Sequence, residues 1–287
     1  MSDGIVVVDK PAGMTSHDVV DEVRRRLQTR RVGHAGTLDP DATGVLVLGV
    51  GRATRLLSYA QRSAKRYRAT AVFGTRTTTQ DASGAVVERR RAEGLSARDI
   101  TDALEAFVGD IEQVPPMVSA VKVGGERLYA KARRGEVVER AARSVTVFGV
   151  DVVDFRPGDE PRAMLDVHCS AGTYVRTLVH DIGERVGCGA HLGVLRRVAA
   201  AGFTEADAIA LDEVDAAAVR PPLDAVRSLA RVEVEGADAR RVRHGRPLAA
   251  VDGVRDGEPV AVVHTGELVA VYVRRGAELR AEVVVAT

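Results

Sequence analysis

Gly33-His34-Ala35-Gly36-Thr37-Leu38-Asp39-Pro40-Asp41-Ala42-Thr43-Gly44 joins a helical pattern to a buried apolar run. Loops held between rigid elements are where reactive side chains concentrate. Gly33, Gly36 and Gly44 allow positive φ or close approach of a ligand to the backbone. Pro40 keeps Asp39 out of the helical region. The result is one carboxylate on a stiff turn, with the His34 imidazole five residues earlier. On the residues alone, Asp39 is either a reactive carboxylate or a turn residue bonded to its own backbone. Two nucleotide-binding readings fall away: Gly44–Thr54 lacks the Gly-Lys-Ser/Thr ending of a P-loop, and Gly49-Val50-Gly51 lacks the third glycine of a dinucleotide fingerprint.

On the N-terminal side, Gly4–Val8 reads as a buried strand. Thr15 or Ser16 then caps a helix running to about Leu27, with Val19, Val20, Val23 and Leu27 at helical spacing. Arg24, Arg25, Arg26, Arg30 and Arg31 gather at its C-terminal end, where they suit the helix dipole and offer phosphate contacts. On the other side, Val45–Leu48 and Tyr67–Phe73 read as strands, and Arg52–Ala60 as the start of a helix. Ser96–Phe107 is amphipathic behind a Ser96/Asp99 capping signal. Pro115-Pro116 makes Gln113–Met117 extended or a turn. Val145–Val153 and Met164–Cys169 read as strands, Arg176–Val186 as a helix. After Pro221-Pro222 the pattern changes to Val-rich runs broken at Thr265–Glu267 and Arg274–Ala277, which are hairpin signals. The expected organisation is residues 1–230 as one α+β domain and 231–287 as a small β-rich domain.

Formal net charge is +1, which excludes a histone-like or tail-driven binder. The distribution is uneven: residues 1–76 hold 13 Lys/Arg against 7 Asp/Glu, and residues 121–143 hold 7 against 3. A basic face on a neutral protein suits a polyanion or is simply a solvated surface. Cys169 and Cys188 form no CxxC pair, so a reducing compartment is expected. The N-terminus has no signal-peptide pattern and no apolar run reaches membrane-spanning length, which gives a cytoplasmic expectation. His168, Cys169, His180, Cys188 and His191 fit no standard zinc spacing, so no metal is expected.

The run Gly33–Thr54, GHAGTLDPDATGVLVLGVGRAT, resembles the signature of TruB-family pseudouridine synthases. GIVVVDKPAGMTS at 4–16, Lys65-Arg66-Tyr67-Arg68, DIEQVPPMVSA at 110–120, CSAGTYVRT at 169–177 and GCGAHLGVLRRV at 187–198 resemble further family motifs in the same order. Six ordered matches over about 200 residues are far more specific than one short motif. The resemblance implies a pseudouridine synthase catalytic fold, a mixed and largely antiparallel sheet with flanking helices, followed by a PUA-like β-barrel. It implies isomerisation of uridine to pseudouridine at uridine 55 in the tRNA T-loop, without metal or other cofactor, guide RNA, or an obligate protein partner.

The resemblance also implies residue roles. Asp39 is the catalytic carboxylate, as nucleophile or as stabiliser of glycosidic cleavage. Arg176 pairs with it and keeps it ionised. Tyr67 stacks on the flipped uracil and is placed for removal of the C5 proton. His34 supports the splayed RNA loop. Lys10, Tyr174 and Leu195 line the pocket. Plainer alternatives exist: Tyr67 as ordinary core, Arg176 as a helix cap or partner of Asp181, Lys10 as a surface cation, His34 as a turn residue. Residues 119–143, with Lys122, Arg127, Lys131, Arg133 and Arg134 around Tyr129, resemble the family's RNA-gripping insertion. Arg240, Arg241, Arg243, His244 and Arg246 form a second basic cluster. A glycoside or nucleoside hydrolase built on Asp39 would need a second carboxylate, for which Asp41 is the close candidate in sequence. A non-catalytic RNA-binding protein would have no use for Asp39, Tyr67 and Arg176 together.

Overall fold

The structure is a computed structural model that describes residues 3–117, 122–123, 126–127, 134 and 138–285. In chain order the strands are β1 (Gly4–Lys10), β2 (Val32–His34), β3 (Thr43–Val50), β4 (Lys65–Phe73), β5 (Thr75–Thr77), β6 (Val86–Arg89), β7 (Gly109–Gln113), β8 (Lys122–Val123), β9 (Glu126–Arg127), β10 (Arg143–Arg156), β11 (Arg162–Cys169), β12 (Ala190–Ala200), β13 (Phe203–Thr204), β14 (Ile209–Ala210), β15 (Ala230–Glu233), β16 (Leu248–Ala249), β17 (Pro259–His264), β18 (Glu267–Arg275) and β19 (Glu278–Val284). The helices are α1 (Ser16–Arg26), α2 (Leu57–Arg62), α3 (Ala97–Leu104), α4 (Val175–Val186) and α5 (Gly236–Arg243). The chain is α+β, as its pattern predicts. It divides into two compact units: residues 1–63 with 199–287, and residues 64–198.

In the first unit, β1 pairs antiparallel with β3 from Gly4↔Val50 to Lys10↔Gly44, and parallel with β14. Strand side chains alternate between two faces. Val6, Val8, Leu46 and Leu48 therefore meet Val19, Val20 and Val23 of α1. Ile5, Val7, Val45 and Val47 face the opposite way, onto Leu56, Leu57, Tyr59 and Ala60. Both faces are covered, which explains why β1 reads as a continuous apolar run rather than an alternating one. Thr15 is the N-cap of α1 and exchanges a full capping box with Asp18.

A second sheet begins at Ala230, with strand order β15-β17-β18-β19-β16. The β15–β17 pair is parallel and the others are antiparallel. One face packs Val260, Val262, Ala270 and Tyr272 with Ala239 and Val242 of α5. The other contributes Ala261, Val263, Leu268 and Val271 to the core containing Leu57, Tyr59 and Val226. Tyr59 also donates its hydroxyl to the Glu282 carboxylate. This sheet therefore shares a core with the N-terminal strands; each fully buried aliphatic side chain there contributes about 1.5–3 kcal/mol.

In the second unit the strand order is β12-β4-β11-β10-β7. The β4–β11, β11–β10 and β10–β7 pairs are all antiparallel. The first half of β4 alternates: Lys65, Tyr67 and Ala69 are buried, Arg66 and Arg68 exposed. Helix α3 packs against α4 and β10, and α4 against β4. The β5–β6 hairpin closes through Thr77–Gly84. β8 and β9 pair with each other.

Candidate active site

Asp39 stands half-buried at the head of a turn in which the Ala42 N–H donates to the Asp39 carbonyl. The glycines of the motif behave as their chemistry requires. Gly36 and Gly44 take φ of 119° and 101°, a region that side-chain-bearing residues avoid. A Cβ on Gly33 would sit 3.2 Å from a Leu57 methyl.

Buried polar groups fix the backbone on both sides of Asp39. The Ser16 hydroxyl, nearly inaccessible, accepts from the Leu38 N–H at 2.8 Å and donates to the Leu38 carbonyl at 3.2 Å. Lys10, wholly buried, donates from Nζ to the carbonyls of Pro11, Pro40 and Ala42, each at 2.8 Å. The Gly13 N–H adds a bond to the Pro40 carbonyl. Lys10 is thus no surface cation: its ammonium binds the strand end to the turn beyond Asp39. His34 closes β2, opposite Leu48 of β3 and half-buried, a few residues before the turn.

In the second unit, Arg176 lies in the first turn of α4 and is almost fully buried. Its Nη1 donates to Oδ2 of Asp81 at 2.9 Å. Asp81 is a residue that the sequence reading did not single out. Its other oxygen accepts from the Thr79 and Ser83 hydroxyls at 2.6 Å and from the Ser83 N–H at 3.1 Å. Burial pushes the Asp81 carboxyl up, but the Ser83 and Thr79 hydroxyls and the Arg176 guanidinium outweigh it and hold the group below its ordinary value. The hairpin turn carrying Asp81 is itself docked. The Thr177 hydroxyl donates to the Gln80 side chain, and the backbones of Gln80 and Ala82 bond Leu192 of β12. Arg176 is therefore held in place by a carboxylate that is itself anchored.

Tyr67 lies on the inward row of β4, opposite Val167 of β11. Leu195 lies half-buried on β12. Tyr174 is the N-cap residue of α4, its ring 4.4 Å from the Arg143 guanidinium carbon. Thus Lys10, His34 and Asp39 belong to one compact unit, and Tyr67, Tyr174, Arg176 and Leu195 to the other.

Among the basic residues of 119–143, Lys122 and Arg127 are opposed across the β8–β9 pair, and Arg134 is in an exposed turn. Lys131 and Arg133 lie outside the described residues. In the α1 cluster, Arg24, Arg25 and Arg26 bond Asp21 or Glu22, whereas the exposed Arg30 and Arg31 have no ion pair among the described residues. No helix among the described residues is long and apolar enough to cross a membrane. Among the described residues, no three His, Cys, Asp or Glu side chains are grouped to hold a metal ion. His191 Nδ1 instead bonds the Thr75 carbonyl, and the Cys188 thiol donates to Gly189.

Comparison with known proteins shows the family. Residues 24–175 match the TruB family pseudouridylate synthase N-terminal domain, and residues 176–232 the tRNA pseudouridylate synthase B C-terminal domain. The tRNA pseudouridine synthase B of Symbiobacterium thermophilum is 52% identical over 85% of this chain and 82% of its own length. That of Thermobifida fusca is 50% identical over 87% of both. A solved Cbf5-Nop10-Gar1 complex superposes with a TM-score of 0.76 at 27% identity, over 98% of this chain and 84% of the matched one. The chain belongs to the TruB family of pseudouridylate synthases.

Proposed function

We propose that this enzyme converts uridine to pseudouridine at position 55 in the T-loop of tRNA, with Asp39 as the catalytic carboxylate. The N1–C1′ bond breaks, the uracil turns, C5 bonds to C1′, the C5 proton leaves and N1, freed of the ribose, takes up a proton. Atoms balance without an oxidant, water or cofactor. The observation carrying the reading is the clamp on the Asp39 turn. Ser16 and Lys10, both buried, hold the backbone on either side of Asp39, a residue that is itself only half-buried. A turn residue with a purely local role needs no such scaffold, whereas a group acting on a flipped nucleoside does.

Arg176, fixed by Asp81, supplies the positive charge that keeps a partner carboxylate ionised. Tyr67 stacks on the uracil, His34 supports the opened loop, and Lys10, Tyr174 and Leu195 shape the surroundings. Residues 119–143 grip the T-arm. Residues 231–287 act as a PUA-like RNA-binding domain after a catalytic domain of 1–230. The relatives named as tRNA pseudouridine synthase B favour tRNA as the substrate; guide RNA and an obligate protein partner have no part in this reading.

The test is tritium release from a T-arm stem-loop labelled at uracil C5. Wild type should release tritium, and Asp39→Asn should bind the RNA and release none. A folded wild type that binds the stem-loop without release would remove the catalytic reading and leave an RNA-binding role.

A further inference from the structure

The chain leaves the sheet at Gln113, the last residue of β7, and re-enters it at Arg143, the first of β10; these two residues are cross-strand partners. Gln113 is wholly buried. Its Oε1 accepts from the Tyr174 backbone N–H at 3.0 Å and its Nε2 donates to the Tyr174 carbonyl at 3.3 Å. Arg143 completes the grip. Its guanidinium donates to the Gly172 carbonyl and lies over the Tyr174 ring.

Tyr174 is where this grip has consequences. It is the N-cap of α4, yet no side chain caps the helix there. A helix start without a cap leaves backbone groups unpartnered and frays. The Tyr174 carbonyl accepts the first helical bond, from the Leu178 N–H at 3.0 Å. The Gln113 amide binds the same peptide from outside the helix and fixes where the first turn begins. Arg176 is the second residue of that turn.

We infer that Gln113 is a positioning residue for the reaction: by clamping Tyr174 in both directions it sets the first turn of α4 and, through it, the Arg176 guanidinium. The inference rests on the role proposed above for Arg176. It also accounts for the residue type. A clamp on both the N–H and C=O of one residue needs a donor and an acceptor on one planar group, which Gln supplies. An ionised Glu keeps the acceptor but turns a carboxylate oxygen towards the Tyr174 carbonyl. Met fills similar volume with neither.

The alternative is a buried amide that stabilises the fold and nothing more. That role would lower the melting temperature and leave turnover of the folded enzyme unchanged. The experiment uses full-length Gln113→Met and Gln113→Glu, with tritium release at saturating and limiting stem-loop and melting followed by circular dichroism. With the chain folded at the assay temperature, kcat should fall about 100-fold for Gln113→Met, the loss expected from a misplacement near 1 Å. Gln113→Glu should be intermediate, and KM should stay within about twofold. A folded Gln113→Met variant with wild-type kcat overturns the inference. If Gln113→Met does not fold, Gln113→Glu decides it by the same split between kcat and KM. Arg176→Lys separates the two levels. An active Arg176→Lys enzyme removes the proposed role of Arg176 and the inference with it. An inactive one beside an unaffected Gln113 variant removes the inference alone.

Discussion

Substituting Lys10 by Met keeps the length of the side chain and deletes the ammonium. Three carbonyls then lose a charged donor, those of Pro11, Pro40 and Ala42. Gross, each charge-assisted bond contributes about 1.5–3 kcal/mol, but burying the ammonium costs several kcal/mol and offsets much of that. The net loss is set by what the carbonyls find instead. The bond to Ala42 is buried and those to Pro11 and Pro40 are partly so, which lets water replace the donor at two of the three. One full unsatisfied acceptor and two partial ones amount to about 3 kcal/mol. For a chain of this size that is a fall in Tm of about 5 °C. The flanks of Asp39 loosen at the same time, so kcat should drop by at least about tenfold, with KM little changed. Thermal melting and tritium release on the same preparation measure both. A Lys10→Met protein that melts with wild type and shows a raised KM would refute this reasoning and make Lys10 an RNA-facing group, the role its motif implies.

Asp81→Asn preserves shape and removes the charge facing Arg176; kcat should fall on the order of 100-fold with the fold retained, and wild-type turnover would show that the pair is structural. Arg30→Ala with Arg31→Ala should weaken tRNA binding and reduce the slope of log K against log salt by about 0.9 per residue, whereas Arg25→Ala, whose guanidinium is neutralised by Glu22, should leave the slope unchanged; equal slopes in all three would reassign the exposed arginines to a solvated surface. Burial, and then the Glu184 carboxylate, raise the Asp181 carboxyl to about 6. The fold therefore favours its protonated form, and that contribution is complete below the ordinary value of 3.8 and is lost as pH rises through about 6. Asp181→Asn should accordingly stabilise the protein by about 1–2 kcal/mol near pH 8, with the gain shrinking towards pH 5; a pH-independent gain in melting experiments would contradict this assignment.

The elements that the sequence discloses are those whose local signals agree with their surroundings. Thr15 and Asp18 form the capping box that opens α1, and Ser96 and Asp99 the one that opens α3, both at the expected places. The Asp39 turn was legible because glycine and proline are the residues whose backbone preferences are strongest. Among the elements that were not legible, β12 and α5 show why. In β12, AHLGVLRRVAA interrupts any alternation with Gly193 and two adjacent arginines, yet Arg197 is buried inside the protein. In α5, GADARRVR offers Ala239 and Val242 as its buried residues, too little for an apolar stripe; the sheet beneath supplies the rest of that core. Tertiary packing overrides a weak local pattern in both. Lys10 was legible as a residue of interest, but its burial was not, since nothing local predicts three carbonyls converging on one ammonium.

Asp81 and Gln113 were illegible for a further reason. Arg176 and Asp81 are 95 residues apart in sequence, and Gln113 and Tyr174 are 61 apart. Neither Asp81 nor Gln113 has local chemistry that separates it from a turn acid or a surface amide. What distinguishes them is the set of partners each finds far away in sequence, a property of the folded chain. The two compact units use the same device independently. In one, Ser16 and Lys10 immobilise the peptides on either side of Asp39. In the other, Gln113 and Asp81 immobilise the peptide and the guanidinium at the start of α4. Preorganised dipoles and charges lower a barrier because they need not move when charge develops. On this argument the groups that carry geometry are immobilised by their partners before any charge develops. Substitution of these groups should therefore register in kcat and in melting together, and only weakly in the affinity for RNA.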